Sequence, residues 1–179
     1  TWTKAEIGQH FTENFQGLRK SVMAKETVHD KKRRSVLFVE DTEEFITNCI
    51  EFFENDTTLN FFFARNYAEA KSHLQNNIFD IAIIDLGLSE QKLGEPERFE
   101  GIQLVQELAA LISPPIVIVS TAYPERAREN PEFPKDFVLD IYDKLEEPLS
   151  KLGKDVDKAR TTKRVQELLI YTSKYTSGN

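Results

Sequence analysis

The sequence predicts an α/β domain: a parallel β-sheet of five strands with helices on both faces. Three observations lead there. Five short apolar runs, rich in β-branched and aromatic residues, recur along residues 35–142. Between them lie segments whose apolar residues are spaced by three and four, the mark of a helix with one buried face. The central run, 81-IAII-84, is apolar at every position, as in a strand covered on both sides. Strands alternating with helices build parallel sheets with right-handed crossovers.

Each element has its own signal. Ser35–Val39 (SVLFV) is the first strand, and Glu43–Asn55 follows as a helix with Phe45, Ile46, Cys49, Ile50 and Phe53 at helical spacing. Leu59–Ala64 (LNFFFA) is the second strand, Tyr67–Gln75 a short helix turning Ala70 and Leu74 inward, and Phe79–Ile84 the third strand. Gly101–Ile112 is a helix with Ile102, Val105, Leu108 and Ile112 on one face. Pro115–Ser120 (PIVIVS) is the fourth strand, introduced by Pro114-Pro115. The segment 124-PERARENPEFPKDF-137 is charged and cut by Pro131 and Pro134, so no long regular helix is expected there. Phe137–Tyr142 (FVLDIY) is a weaker fifth strand, and a last helix carries Val165, Leu168, Leu169 and Tyr171.

Ahead of these elements, Ile7, Phe11, Phe15, Leu18 and Val22 form one apolar stripe on a helix over about residues 3–27. The run Lys31-Lys32-Arg33-Arg34 then reads as a solvated boundary. Residues 1–34 are therefore expected to be a helical extension with a basic linker, and 35–179 the domain. Three uses of the stripe stay open: packing on the domain, a homodimer, or a link to an upstream module. The final helix takes up most of the residues after Ser150, so no DNA-binding or enzymatic module is expected there.

Composition excludes several classes. The formal net charge is −7, which disfavours binding nucleic acid or a membrane surface by bulk charge. Cys49 is the only cysteine, so there is no disulfide framework and no thiolate cluster for a metal. No stretch approaches a membrane span and no signal-peptide pattern opens the chain, so a cytoplasmic location is expected. His10, His29 and His73 fall away from the strand ends and are expected at the surface. No Gly-rich phosphate loop is present.

In open parallel sheets, ligands bind at the carboxyl ends of the strands. Strand one ends in Glu40-Asp41, strand three in Asp85, strand four in Ser120-Thr121, and strand five leads to Asp143-Lys144. With Asp143 left aside, three carboxylates, a hydroxyl and an ammonium share one edge. Neighbouring carboxylates repel unless a cation joins them, and an oxygen-rich open site without thiolate or histidine suits Mg²⁺ or Mn²⁺. A carboxylate beside a divalent ion, with a lysine and a hydroxyl opposite, meets the needs of phosphoryl transfer. Singly, each residue has a plainer reading. Asp41 before Thr42-Glu43-Glu44 also fits a helix cap, and Asp85 a solvated loop aspartate.

From about Ser35 to its C-terminus, the chain resembles a response-regulator receiver domain of two-component signalling. The matching pieces are 36-VLFVED-41, 79-FDIAIIDLGL-88, 101-GIQLVQEL-108, 116-IVIVSTA-122 and Lys144. The resemblance implies a flavodoxin-like, doubly wound sheet in order 2-1-3-4-5. It implies Asp85 as phosphoacceptor, Asp41 as a direct Mg²⁺ ligand, Glu40 acting mainly through water, and the Gly87 backbone carbonyl as a further ligand. Thr121 would be the switch hydroxyl and Lys144 the phosphate-pairing lysine. The donor would be a histidine kinase, a histidine phosphotransfer protein or a small phosphodonor. The domain would catalyse its own phosphorylation and hydrolysis and turn over no external substrate.

Three departures stand out. Ser89 replaces the usual proline, and Gly101 opens its helix sixteen residues after Asp85, twice the usual interval, with a polar, acidic stretch between. Leu145 follows Lys144 where the family has proline. Ile141 occupies the aromatic switch position, and Tyr142, one later, should face the other way. A second reading therefore stands beside the phosphorylated switch: a receiver-like protein-interaction module without phosphorylation. A haloacid-dehalogenase-type phosphatase needs a second aspartate where Gly87 stands.

Overall fold

The structure is a computed structural model that describes residues 33–88 and 100–176. The expected helix over 3–27 and nearly all of the 89–100 insertion lie outside the described residues.

The elements follow in strict alternation: β1 (Arg34–Val39), α1 (Glu43–Phe53), β2 (Leu59–Ala64), α2 (Tyr67–Asn76), β3 (Ile81–Ile84), α3 (Glu100–Ala109), β4 (Ile116–Thr121), α4 (Pro124–Glu129), a 3₁₀ turn (Lys135–Phe137), β5 (Val138–Asp143) and α5 (Leu149–Thr176). The sheet is five-stranded, parallel throughout and ordered β2-β1-β3-β4-β5. This is the doubly wound α/β architecture that the sequence predicts.

Alternation within the strands builds two cores. In β3, Ala82 and Ile84 join Leu37, Val39, Val117 and Val119 beneath α2 and α3. Ile81 and Ile83 join Val36, Phe38 and Ile118 beneath α1 and α5, which contribute Ile46, Cys49, Leu152, Val156 and Ala159. That is why IAII has no polar position: both faces are covered.

β5 is irregular. Val117 pairs with Val138, but Ile118 pairs with Asp140, so one residue bulges between them. Leu139 then packs toward the α5 core and Ile141 toward the other, while Tyr142 is buried in the α5 core. The bulge breaks the period of two, which made this strand weak in the sequence.

Four expectations need correction. Arg34, read as the end of a solvated boundary, starts β1 and is buried, because its guanidinium is paired with Asp80 and Glu167. α3 ends at Ala109, and Ile112 is exposed beyond it in the loop before β4. α5 buries Leu152, Val156 and Ala159, whereas Val165, Leu169 and Tyr171 are exposed. For Leu169 and Tyr171 the reason is reach: Glu167 already pairs with Arg34 at the start of β1, and the helix continues past that level. His73 is half-buried, with its Nε2 3.1 Å from the Phe63 carbonyl oxygen and its ring edge-on to Phe62. The prolines after β4 act as expected, since α4 is only six residues long.

Candidate functional site

The carboxyl edge of the sheet gathers the candidate residues. Carboxylate oxygens of Glu40, Asp41 and Asp85 lie within 4.8 Å of one another. Asp85 follows β3 directly, with its amide on the Val39 carbonyl, and is only 7% exposed. Its Oδ1 accepts a 3.0 Å hydrogen bond from the Gly87 amide, and its Oδ2 accepts one of 2.7 Å from Lys144 Nζ. Glu40 is buried; its Oε1 accepts from the Thr42 amide at 3.1 Å and its Oε2 lies 2.5 Å from Lys144 Nζ. Burial holds the Glu40 carboxyl above its ordinary range, and the Asp85 charge adds to this, against the pull of Lys144.

Asp41 is exposed, and its carboxylate accepts from the Thr42 hydroxyl at 3.3 Å. The N-cap of α1 is Thr42, without a side-chain cap bond. The helix-cap reading of Asp41 therefore falls, and the carboxylate is left facing the site. Thr121 is buried at the end of β4; its Oγ1 accepts from the Tyr123 amide at 3.2 Å, and its carbonyl accepts from the Lys144 amide at 3.0 Å. Thus Glu40, Asp41, Asp85 and Lys144 meet directly, while Thr121 adjoins them through the backbone.

A divalent cation fits this donor set. Three carboxylates face one ammonium, which leaves the cluster formally short of positive charge. The Lys144 ammonium is shared between Glu40 Oε2 and Asp85 Oδ2, and it is the only cation paired with these carboxylates among the described residues. Three clustered carboxylates with one shared ammonium match a hydrated hard cation.

Two further features were not anticipated. Asp143 caps the turn after β5: its Oδ1 accepts from the Leu145 amide at 2.9 Å and the Glu146 amide at 3.3 Å. Glu147 Oε2 accepts from the Asp143 amide at 2.9 Å, and the Glu147 carbonyl accepts from the Tyr142 hydroxyl at 2.8 Å. The Lys144–Leu145 junction is held in this way without proline. An aspartate ahead of a short polar stretch is a turn signal that the sequence does carry. The second feature is Gly101, where a Cβ would stand 2.1 Å from the Asp85 carbonyl oxygen. The helix after the insertion thus presses on the backbone of Asp85 itself.

No family model matches the sequence, and no curated protein matches it. Solved structures do. The chain is similar to a CheY-like response regulator receiver domain protein from Methanospirillum hungatei, at 17% identity and TM-score 0.58, over 74% of this chain and 98% of that one. It is similar to the N-terminal domain of a response regulator/sensory box/GGDEF protein from Carboxydothermus hydrogenoformans, at 18% identity and TM-score 0.60, over 76% and 99%. It also resembles the response regulator TrrA from Thermotoga maritima, solved with Mg²⁺-BeF, at 17% identity and TM-score 0.56, over 70% and 98%. The fold is that of a receiver domain. The strand order and the placement of acidic residues after β1 and β3 are those that the sequence resemblance implied.

Proposed function

We propose that this domain is a phosphoacceptor switch of a two-component or phosphorelay system, phosphorylated on Asp85. The observation that carries the reading is the junction of Asp85 with Glu40 and Asp41 on one side and Lys144 Nζ, 2.7 Å away, on the other. The Mg²⁺-BeF complex of the similar Thermotoga protein supports it.

Glu40, Asp41, Asp85 and the Gly87 carbonyl are the groups to hold Mg²⁺, or Mn²⁺ in its place. Bound there, the ion neutralises charge on the transferred phosphoryl oxygens. The protein supplies the rest. An Asp85 carboxylate oxygen forms a bond to phosphorus as the bond from phosphorus to a donor imidazole breaks. The leaving nitrogen keeps the electron pair and the carboxylate proton balance is unchanged. Lys144 pairs with a phosphoryl oxygen, and Thr121 donates its hydroxyl to another after releasing the Tyr123 amide. Phosphorylation adds charge and acceptor oxygens, and so biases a two-state surface around β4 and α4. The partners of this reading are a histidine kinase or histidine phosphotransfer protein, with an output partner read at the shortened α4. The domain turns over no external substrate and works in the cytoplasm. Among the described residues, no helix is long and apolar enough to cross a membrane. In this reading the residues before Arg34 are an extension of the domain, which begins with β1.

One observation favours the interaction module that is not phosphorylated. Tyr142 is buried and bonded to the Glu147 carbonyl, so no aromatic side chain at the end of β5 is free to turn with Thr121. Fluorine NMR with beryllofluoride and Mg²⁺ separates the readings. A switch gives protein-bound fluoride signals that Asp85→Asn abolishes; a module without phosphorylation gives none.

A further inference from the structure

Lys144 reaches its two carboxylates across a neighbouring strand. It follows β5, whereas Asp85 follows β3, and β4 lies between them. A long flexible side chain spanning that distance loses rotamer freedom, so something has to hold it. The turn capped by Asp143 fixes the Lys144 backbone, but Leu145 beyond it is 72% exposed and gives the lysine side chain no wall. The support comes from the side. Lys144 Nζ lies 4.9 Å from the centroid of the Phe45 ring, in the first turns of α1.

Phe45 is itself clamped. Its ring stacks on Tyr142 at 6.3 Å and 29°, and on Phe38 at 6.3 Å and 24°. Tyr142 is tied through its hydroxyl to the Glu147 carbonyl. The ammonium therefore has a π face on one side and carboxylates on the other. The ring attracts the cation and keeps water from that side, which directs its N–H groups at Glu40 and Asp85. The same short stretch, 40-EDTEEF-45, supplies two carboxylates of the cation site and this ring.

We infer that Phe45, backed by Tyr142, is the positioning residue for Lys144; the inference rests on the reading of Asp85 as phosphoacceptor. Phe45 touches no reacting atom and acts through the lysine.

Two measurements on the full chain test it. The first is NMR of the protein with ¹³Cε-labelled lysine, with the Lys144 signal assigned by its loss in Lys144→Met. In wild type the Lys144 ε-protons are expected upfield of the other lysines, shifted by the ring current of Phe45. Phe45→Tyr keeps that shift and Phe45→Leu removes it. The second is the beryllofluoride concentration giving half-saturation with Mg²⁺. Phe45→Leu raises it about tenfold, and Phe45→Tyr restores the wild-type value. An unshifted Lys144 signal in wild type overturns the inference whether or not Phe45→Leu folds. Equal behaviour of Phe45→Leu and Phe45→Tyr overturns it as well. If wild type takes up no beryllofluoride, the phosphoacceptor reading fails, and the lysine signal still decides the role of Phe45.

Discussion

Replacing Gly101 by alanine sets two effects against each other. Alanine is the better helix former, by about 1 kcal/mol. Its Cβ, however, would lie 2.1 Å from the Asp85 carbonyl oxygen and 2.5 Å from Leu86 Cα. Both are backbone atoms in a strand-end segment, not the tip of a flexible side chain. The start of α3 must therefore retreat by roughly 1 Å, and a gap of that size forfeits about a quarter to a half of each dispersion contact across it. That face buries Ile102, Leu104, Val105 and Leu108. Overpacking of this kind costs about 1–3 kcal/mol, and the rigid clash puts this site at the upper end. After the helix gain, the net loss is about 2 kcal/mol, or about 4–8 °C in Tm for a domain of this size. Gly87→Ala is the control. Its Cβ would meet nothing nearer than the Asp85 Oδ1 at 3.7 Å, so its stability should stay within about 0.5 kcal/mol of wild type. Urea unfolding followed by circular dichroism gives both values. A Gly101→Ala protein as stable as wild type, or as stable as Gly87→Ala, would refute the close approach of α3 to Asp85.

Other expectations follow from the same geometry. Arg34→Met removes a buried guanidinium held by Glu167 at 2.6 Å and Asp80 at 3.3 Å; it should cost about 3 kcal/mol in urea unfolding while leaving beryllofluoride uptake intact, because Arg34 starts β1 at the edge away from Asp85. Burial pushes the Cys49 thiol up to about 12, helped by the charge of Glu40. Its folded pKa is raised, so the stabilisation is fully present below the ordinary value of 9.0 and is lost as pH rises toward about 12. Iodoacetamide labelling at pH 8 should accordingly proceed only as fast as the protein opens. Mg²⁺ should stabilise wild type by mass action, by about 2.7 kcal/mol at a hundredfold excess over Kd, and so raise its Tm, while leaving Asp41→Ala unmoved; calorimetry with and without EDTA measures this.

What the sequence revealed depended on how local each signal was. The first four strands were legible because each run is apolar and short, and IAII announced burial on both faces. β5 was blurred by its bulge, where Leu139 and Asp140 follow each other without the usual alternation. The far half of α5 misled for another reason. Val165 and Leu169 have the spacing of a buried face, but both are exposed, and from Glu167 onward the helix runs past Arg34 at the start of β1. The site was legible because parallel sheets bring their strand ends to one edge, so Glu40, Asp41, Asp85 and Lys144 could be grouped without knowing any distance. Phe45 could not. On a helical period it reads as one more core residue, and only the fold shows its ring against the Lys144 ammonium. Asp143 belongs to no candidate site in the sequence, yet its carboxylate shapes the turn that carries Lys144.

The proposed switch stands or falls on whether Asp85 accepts a phosphoryl group. The most direct measurement is intact-protein and peptide mass spectrometry after incubation with acetyl phosphate and Mg²⁺. One added phosphoryl group is expected, on the peptide containing Asp85, dependent on Mg²⁺ and absent from Asp85→Asn. No added mass on folded wild type, or an equal addition to Asp85→Asn, would contradict it.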